Sequence, residues 1–140
     1  MMRQKKILVG ILMGSATDAE TMAETEKILK EKKIPYEINI LSAHRNPEEV
    51  REYAKTAKKR GLKVLICGAG MSAALAGVVS AHTELPVIGV PMESGSLKGM
   101  DALLSTVQMP GGVPVACMAI GKPGAKNAAV FAARILNILK

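Results

Sequence analysis

The sequence predicts a doubly wound α/β sandwich on an all-parallel sheet of five strands. Two observations carry that prediction. Short aliphatic runs alternate with longer amphipathic stretches from one end of the chain to the other, the order of βαβ units. The runs are nearly continuous, as in Ile7-Leu8-Val9-Gly10-Ile11-Leu12-Met13, which marks strands buried on both faces. Right-handed crossovers then bring the strand-to-helix loops to one edge of the sheet, where ligands bind in such folds.

The elements follow in order. The first strand ends at Met13, and Gly14-Ser15-Ala16-Thr17-Asp18 supplies hydroxyl and carboxylate groups suited to capping a helix. That helix is expected over residues 19–33, with Met22, Ile28 and Leu29 among its apolar positions. The second strand is read at 34–41. The second helix, 46–60, carries Val50, Tyr53, Ala54 and Ala57 on one face, and Gly61 ends it. A third strand at 62–67 leads through Gly68-Ala69-Gly70-Met71-Ser72 into a short helix of small residues, 73–81. The fourth strand spans 85–91, with its prolines placed at the ends. A loop at 93–98, a helix at 100–108 and a turn at 109–112 precede the fifth strand, 113–120. The last helix is read at 126–139, with Ala129, Val130, Ala133, Ile135, Leu136 and Leu139 apolar.

Composition narrows the class. The 140 residues are read as a single domain, and 49% of them are hydrophobic. With no Trp, two Tyr and one Phe, the core must come from aliphatic residues, Met and Ala. The formal charge of +7 is spread over helix faces, and three aromatics in the whole chain are too few to make a platform for stacked bases. A nucleic-acid partner is therefore disfavoured, and the charge suits attraction of phosphorylated metabolites. Cys67 and Cys117 lie in apolar runs and read as small buried hydrophobes in a reducing compartment. The charged first six residues do not form a signal peptide, and no apolar run has the length of a membrane span, so the expected location is the cytoplasm. No set of Cys, His and carboxylates has metal-ligand spacing.

Three loops hold the candidate chemistry. Ser42-Ala43-His44-Arg45-Asn46-Pro47 carries one of only two histidines, between a strand and a helix. Histidine titrates near neutral pH, and the adjacent Arg45 can hold a phosphate or carboxylate with two parallel hydrogen bonds. The other reading of this loop is a helix start that merely includes those residues. Gly14 to Asp18 could hold a phosphate on helix-opening N–H groups, although it is neither a Walker P-loop nor a dinucleotide fingerprint. Asp18 could bond ribose hydroxyls or simply cap its helix. Gly68-Ala69-Gly70 permits close backbone approach to a ligand, or a tight turn. His82, at a helix end, is read as satisfying last-turn carbonyls.

Six stretches fall in one order at one spacing: Gly14-Ser15-x-x-Asp18, Ser42-Ala43-His44-Arg45, Gly68-Ala69-Gly70, Leu85-Pro86-Val87-Ile88-Gly89-Val90-Pro91, Gln108-Met109-Pro110-x-Gly112-Val113-Pro114-Val115 and Asn127-Ala128-Ala129. Together they closely resemble the N5-carboxyaminoimidazole ribonucleotide mutase family of purine biosynthesis, along nearly the whole chain. The resemblance implies a flavodoxin-like three-layer αβα sandwich and a homo-octamer. It implies a site between subunits that takes an aminoimidazole ribonucleotide with no metal or cofactor and with CO2 as an intermediate. It assigns the phosphate and ribose region to Ser15, Thr17 and Asp18, the phosphate to Arg45, and proton transfer to His44. Ser42, Ala43, Leu75 and the Gly70-Met71 backbone would border the base and the migrating carboxylate. The segments around Ser94 and Gln108 would close over the site.

The chain departs from the mutase pattern at Thr17, which replaces a usual serine and keeps its hydroxyl, and above all in one loop. That pattern reads Gly-Gly-Ala-Ala-His-Leu-Pro-Gly, and here the stretch is Gly70-Met71-Ser72-Ala73-Ala74-Leu75-Ala76-Gly77. Ala74 stands at the second histidine and Ala76 at the proline. This loop looks more like the related carboxylases that add CO2 directly to aminoimidazole ribonucleotide. Ser42-Ala43-His44-Arg45 and Gln108-Met109-Pro110 look like the mutases. Carboxylate transfer is the leading reading, direct carboxylation the alternative within the family, and a non-catalytic nucleotide-binding module the alternative of another class. The last helix and the Ala-rich helix at 73–81 are expected to be buried by other subunits.

Overall fold

The structure, a computed structural model, describes residues 5–140. Five parallel strands lie in the order β2-β1-β3-β4-β5: β1 (Val9–Met13), β2 (Tyr36–Ile40), β3 (Val64–Ala69), β4 (Val87–Pro91) and β5 (Ala116–Cys117). Five helices connect and follow them: α1 (Ala19–Glu31), α2 (Pro47–Ala57), α3 (Leu75–Ala81), α4 (Met100–Val107) and α5 (Lys122–Ile138). This is the flavodoxin-like three-layer sandwich. β1 is flanked by β2 and β3, with Ile11 in register with both Ile38 and Ile66.

Strand side chains alternate between faces, so each buried strand feeds two cores. Val9, Ile11, Val64, Ile66 and Ile88 face α1 and α5, where Met22, Leu29, Ala125, Ala128, Ala129 and Ala132 complete the packing. Leu12, Leu65, Cys67 and Val87 face α2 and α3, against Val50, Ala54, Leu75, Ala76 and Val79. Alanine is the recurring residue because small side chains let α5 lie close to both α1 and the sheet. The buried Thr25 hydroxyl of α1 donates to the Ala125 carbonyl of α5 at 2.7 Å.

Several element ends fall a few residues inside the ranges read from sequence, and two departures are larger in kind. β5 keeps only two paired residues, Ala116 and Cys117, in place of the eight-residue strand read at 113–120. Pro114 has no N–H for a ladder, and its carbonyl is taken by the Ser80 hydroxyl at 2.6 Å. α5 begins at Lys122 rather than residue 126. Pro123 sits in its first turn, where proline costs no helical hydrogen bond. Gly121, at φ +76°, makes the entry bend.

The small residues of α3 and α5 pack largely within the chain. Exposed apolar side chains remain on α5 at Phe131 and Ile138, and at Leu139 just after it. Leu97 precedes α4, and Met100, Leu104 and Val107 recur along it at helical spacing. No helix among the described residues is long and apolar enough to cross a membrane.

Candidate active site

The carboxyl ends of β1, β2 and β3 converge, and their following loops enclose a cavity of about 600 Å³. β1 and β3 adjoin where the strand order reverses, the expected ligand position in an open parallel sheet. Gly14 leaves β1 with its N–H bonded to the Gly68 carbonyl at 3.0 Å, which fixes the first and third loops together.

Ser15 opens a short 3₁₀ turn, and its hydroxyl accepts from the Thr17 N–H at 3.3 Å and the Thr17 hydroxyl at 3.0 Å. Asp18 occupies the N-cap position of α1 without a side-chain cap bond, so capping does not account for its carboxylate. It is 8% exposed and lines the cavity. Burial pushes its pKa up from the ordinary 3.8, opposed in part by a backbone hydrogen bond at Ser15.

That shift sets a stability prediction. The native state holds the Asp18 proton more tightly than the unfolded chain, so stability falls as pH rises from 3.8 through the raised native value, and the penalty persists above it. Asp18→Asn removes the charge, so the ligand-free variant should melt above the parent at pH 7. The gap should close as the pH drops below 3.8, where both states of the parent are neutral. Thermal melts at the two pH values check this, and a variant that melts lower at neutral pH contradicts it.

The second loop is held by Ser42. Its hydroxyl accepts from the His44 and Arg45 N–H groups at 3.3 and 3.2 Å, while Asn46 Oδ1 accepts from the Ser42 N–H at 3.3 Å. The turn is thus fixed from within, and the exposed His44 and Arg45 side chains are free for a ligand. Among the described residues, Asp18, His44 and Arg45 are the only acidic, basic or imidazole side chains in the lining. Arg45 makes no ion pair among the described residues.

The third loop brings backbone and apolar surface. A Cβ at Gly70 would collide with the Ser94 hydroxyl, so glycine lets the two loops meet without displacing that side chain. Ala69, Met71, Ala74 and Leu75 continue this wall.

All ten residues singled out from the sequence line this one cavity: Ser15, Thr17, Asp18, Ser42, Ala43, His44, Arg45, Gly70, Met71 and Leu75. Gly14, Ala69, Ser72, Ala74 and Ser94 line it as well. Four of those five adjoin singled-out residues in sequence. Ser94 arrives from the loop after β4, and only the fold shows its contact with Gly70. Gln108 to Pro110 lie outside the cavity. His82 is also elsewhere, its Nδ1 paired with the Val78 carbonyl at 2.9 Å, the helix-end role read from sequence. Cys67 is buried and Cys117 half-buried, both unpaired, and desolvation pushes both thiols up. Among the described residues, no group of three or more His, Cys, Asp or Glu could hold a metal.

A flavodoxin-like sheet with an arginine, an imidazole and small hydroxyls at its switch point defines a protein that takes an anionic small molecule. The family model described as AIR carboxylase matches residues 8–140. The chain belongs to that family. It is 58% identical over 130 residues to the N5-carboxyaminoimidazole ribonucleotide mutase of Bacillus subtilis (strain 168), covering 93% of this chain and 80% of the relative. The Pyrococcus horikoshii protein of the same name is 56% identical over 137 residues, 98% of this chain and 76% of that one. The crystal structure of Treponema denticola PurE superposes with a TM-score of 0.85 at 36% identity, covering 95% of this chain and 82% of that one.

Proposed function

We propose that the chain is a mutase that converts N5-carboxyaminoimidazole ribonucleotide to 4-carboxyaminoimidazole ribonucleotide in purine biosynthesis, in the cytoplasm. The observation that carries this reading is the convergence of His44, Arg45, Asp18 and the Gly70-Met71 backbone on one cavity of about 600 Å³. Identities of 58% and 56% to proteins named as this mutase support it.

The roles follow from the chemistry. Arg45 is the one Lys or Arg side chain in the lining among the described residues and takes the phosphate. Ser15, Thr17 and Asp18 hold the phosphate and ribose, the buried carboxylate accepting from ribose hydroxyls. Ser42, Ala43, Leu75 and the Gly70-Met71 backbone border the base. The substrate is a carbamate. Its N5–carboxyl bond breaks, the electron pair goes to N5, and protonated His44 supplies a proton there. The C4 enamine carbon then attacks the confined CO2. His44 removes the C4 proton, restores aromaticity and returns to its starting state. Confinement turns a bimolecular recapture into a near-unimolecular one.

The purified protein should convert the carbamate without bicarbonate. Turnover of aminoimidazole ribonucleotide plus bicarbonate, with none of the carbamate, would instead assign direct carboxylation. Ligand binding with no turnover of either would assign a non-catalytic module.

Arg45→Ala separates binding from chemistry. A charge-assisted phosphate contact contributes about 1.5–3 kcal/mol, so KM should rise roughly 10- to 100-fold with kcat little changed. Steady-state kinetics checks this, and an equal fall in kcat would move Arg45 into the chemical step.

The assembly proposed is a homo-octamer. The exposed stripe of Leu97, Met100, Leu104 and Val107 supports subunit contact along α4. The neighbouring Gln108 to Pro110 segment would then be positioned to reach the site of another subunit.

A further inference from the structure

Among the described residues, Met71 is one of three non-glycine residues with positive φ, at +54°, and the only one of the three in the cavity lining. The left-handed region favours glycine, and a side chain held there at a site calls for a functional explanation. Met71 is also 59% exposed, so no core packing accounts for it. Its side chain runs along the loop after β4. The position a Cβ would occupy at Gly95 lies 3.5 Å from Met71 Cγ, 3.9 Å from Sδ and 4.0 Å from Cε. Gly95 is itself at φ +72°, so the two loops meet at two left-handed residues. Beside it, a Cβ on Gly70 would meet the Ser94 hydroxyl. The two loops thus approach one another closely at the cavity lining, at Gly70 and Ser94 and at Met71 and Gly95.

Beside Met71 the lining carries the apolar side chains of Ala69, Ala74 and Leu75 next to the hydroxyl of Ser72, and Ala74 brings no polar atom beyond the backbone. The apolar part of this wall suits a small neutral molecule better than a carboxylate, which would lose hydration there.

We propose that Met71 is the specificity-determining residue that retains CO2, closing the cavity mouth against Gly95 so that the freed carboxyl group goes to C4 and not to solvent. This rests on the mutase reading above. When the N5–carboxyl bond has broken and N5 has been protonated, the two species present are CO2 and neutral aminoimidazole ribonucleotide. Either C4 attacks and loses its proton to His44, or CO2 leaves and is hydrated to bicarbonate. Met71 sets the ratio of those two fates by occupying the exit.

The test uses carbamate labelled in its carboxyl carbon, in an excess of unlabelled bicarbonate. Two quantities are read above the enzyme-free background: label kept in the 4-carboxy product and aminoimidazole ribonucleotide released. The parent should keep most of the label. Met71→Gly removes the side chain at a backbone angle that glycine favours, and a melting temperature no lower than the parent's shows it is folded. This variant should lose label and release aminoimidazole ribonucleotide on the order of threefold or more above the parent, since confinement is what the side chain supplies. Met71→Leu keeps apolar bulk and should retain label. Parental retention in Met71→Gly overturns the proposal. So does a folded Met71→Gly that no longer consumes carbamate, because Met71 would then act in binding. A parent enzyme inactive on carbamate is a separate result, which removes the mutase reading and the proposal with it.

Discussion

His44→Asn should lower kcat by at least about 100-fold, the low end of what general acid–base catalysis contributes. Asparagine keeps the bulk and some hydrogen bonding of histidine but cannot exchange a proton near neutral pH. The reaction needs a proton delivered to N5 and another taken from C4, and His44 is the only imidazole in the lining. Ala74 offers no second proton carrier. Substrate affinity should fall much less, because Arg45, Ser15 and Asp18 remain. The Ser42 turn should also persist, since its hydroxyl accepts from the backbone N–H groups of residues 44 and 45 and not from the imidazole. His82→Asn is the internal control, because His82 serves the Val78 carbonyl. Single-turnover kinetics on the three proteins checks the pattern. An inactive His82→Asn beside an active His44→Asn would reverse the assignment.

How much of this was legible in the sequence depends on what each segment packs against. Strands buried on both faces, such as Val9 to Met13 and the run beginning at Val64, are aliphatic throughout and declare themselves. The loops that follow them declare themselves too, because Ser15, Asp18, Ser42, His44 and Arg45 are polar groups set between apolar runs. β5 was overread because Val113, Val115 and Ala116 have strand-like side chains, while a proline between them and an edge position limit pairing to two residues. α5 was begun four residues late because a Pro-Gly pair reads locally as a turn. Its true start depends on how the chain bends back from β4, a tertiary fact. The contact of Ser94 with Gly70 joins two loops well separated along the chain, and no local pattern encodes it. The positive φ of Met71 was equally hidden, since methionine carries no local signal for that conformation.

Gly124→Ala should be among the most destabilising single changes in the chain, although it is a substitution that normally favours a helix. In an exposed helix interior alanine gains about 1 kcal/mol over glycine. Here the first turn of α5 lies directly on the backbone of Ala119. A Cβ on Gly124 would overlap the Ala119 carbonyl oxygen, 2.7 Å from that carbonyl carbon and 3.1 Å from the Ala119 nitrogen. Neither side can withdraw cheaply. The segment before α5 is tied to β4 by the Met118 N–H on the Gly89 carbonyl at 2.9 Å and the Gly121 N–H on the Pro91 carbonyl at 2.8 Å. α5 is held by its buried alanines and by Thr25 on the Ala125 carbonyl. The variant must break one of these attachments, and overpacking against backbone places the cost at about 3 kcal/mol or more. Urea unfolding at matched protein concentration should show a lower midpoint at an unchanged slope. Gly111→Ala is the comparison, since a Cβ there meets nothing within 4 Å, and its midpoint should stay with the parent. If Gly124→Ala were as stable as the parent, the start of α5 could not rest on Ala119, and the bend at Gly121 that aims α5 across α1 would have to be drawn differently.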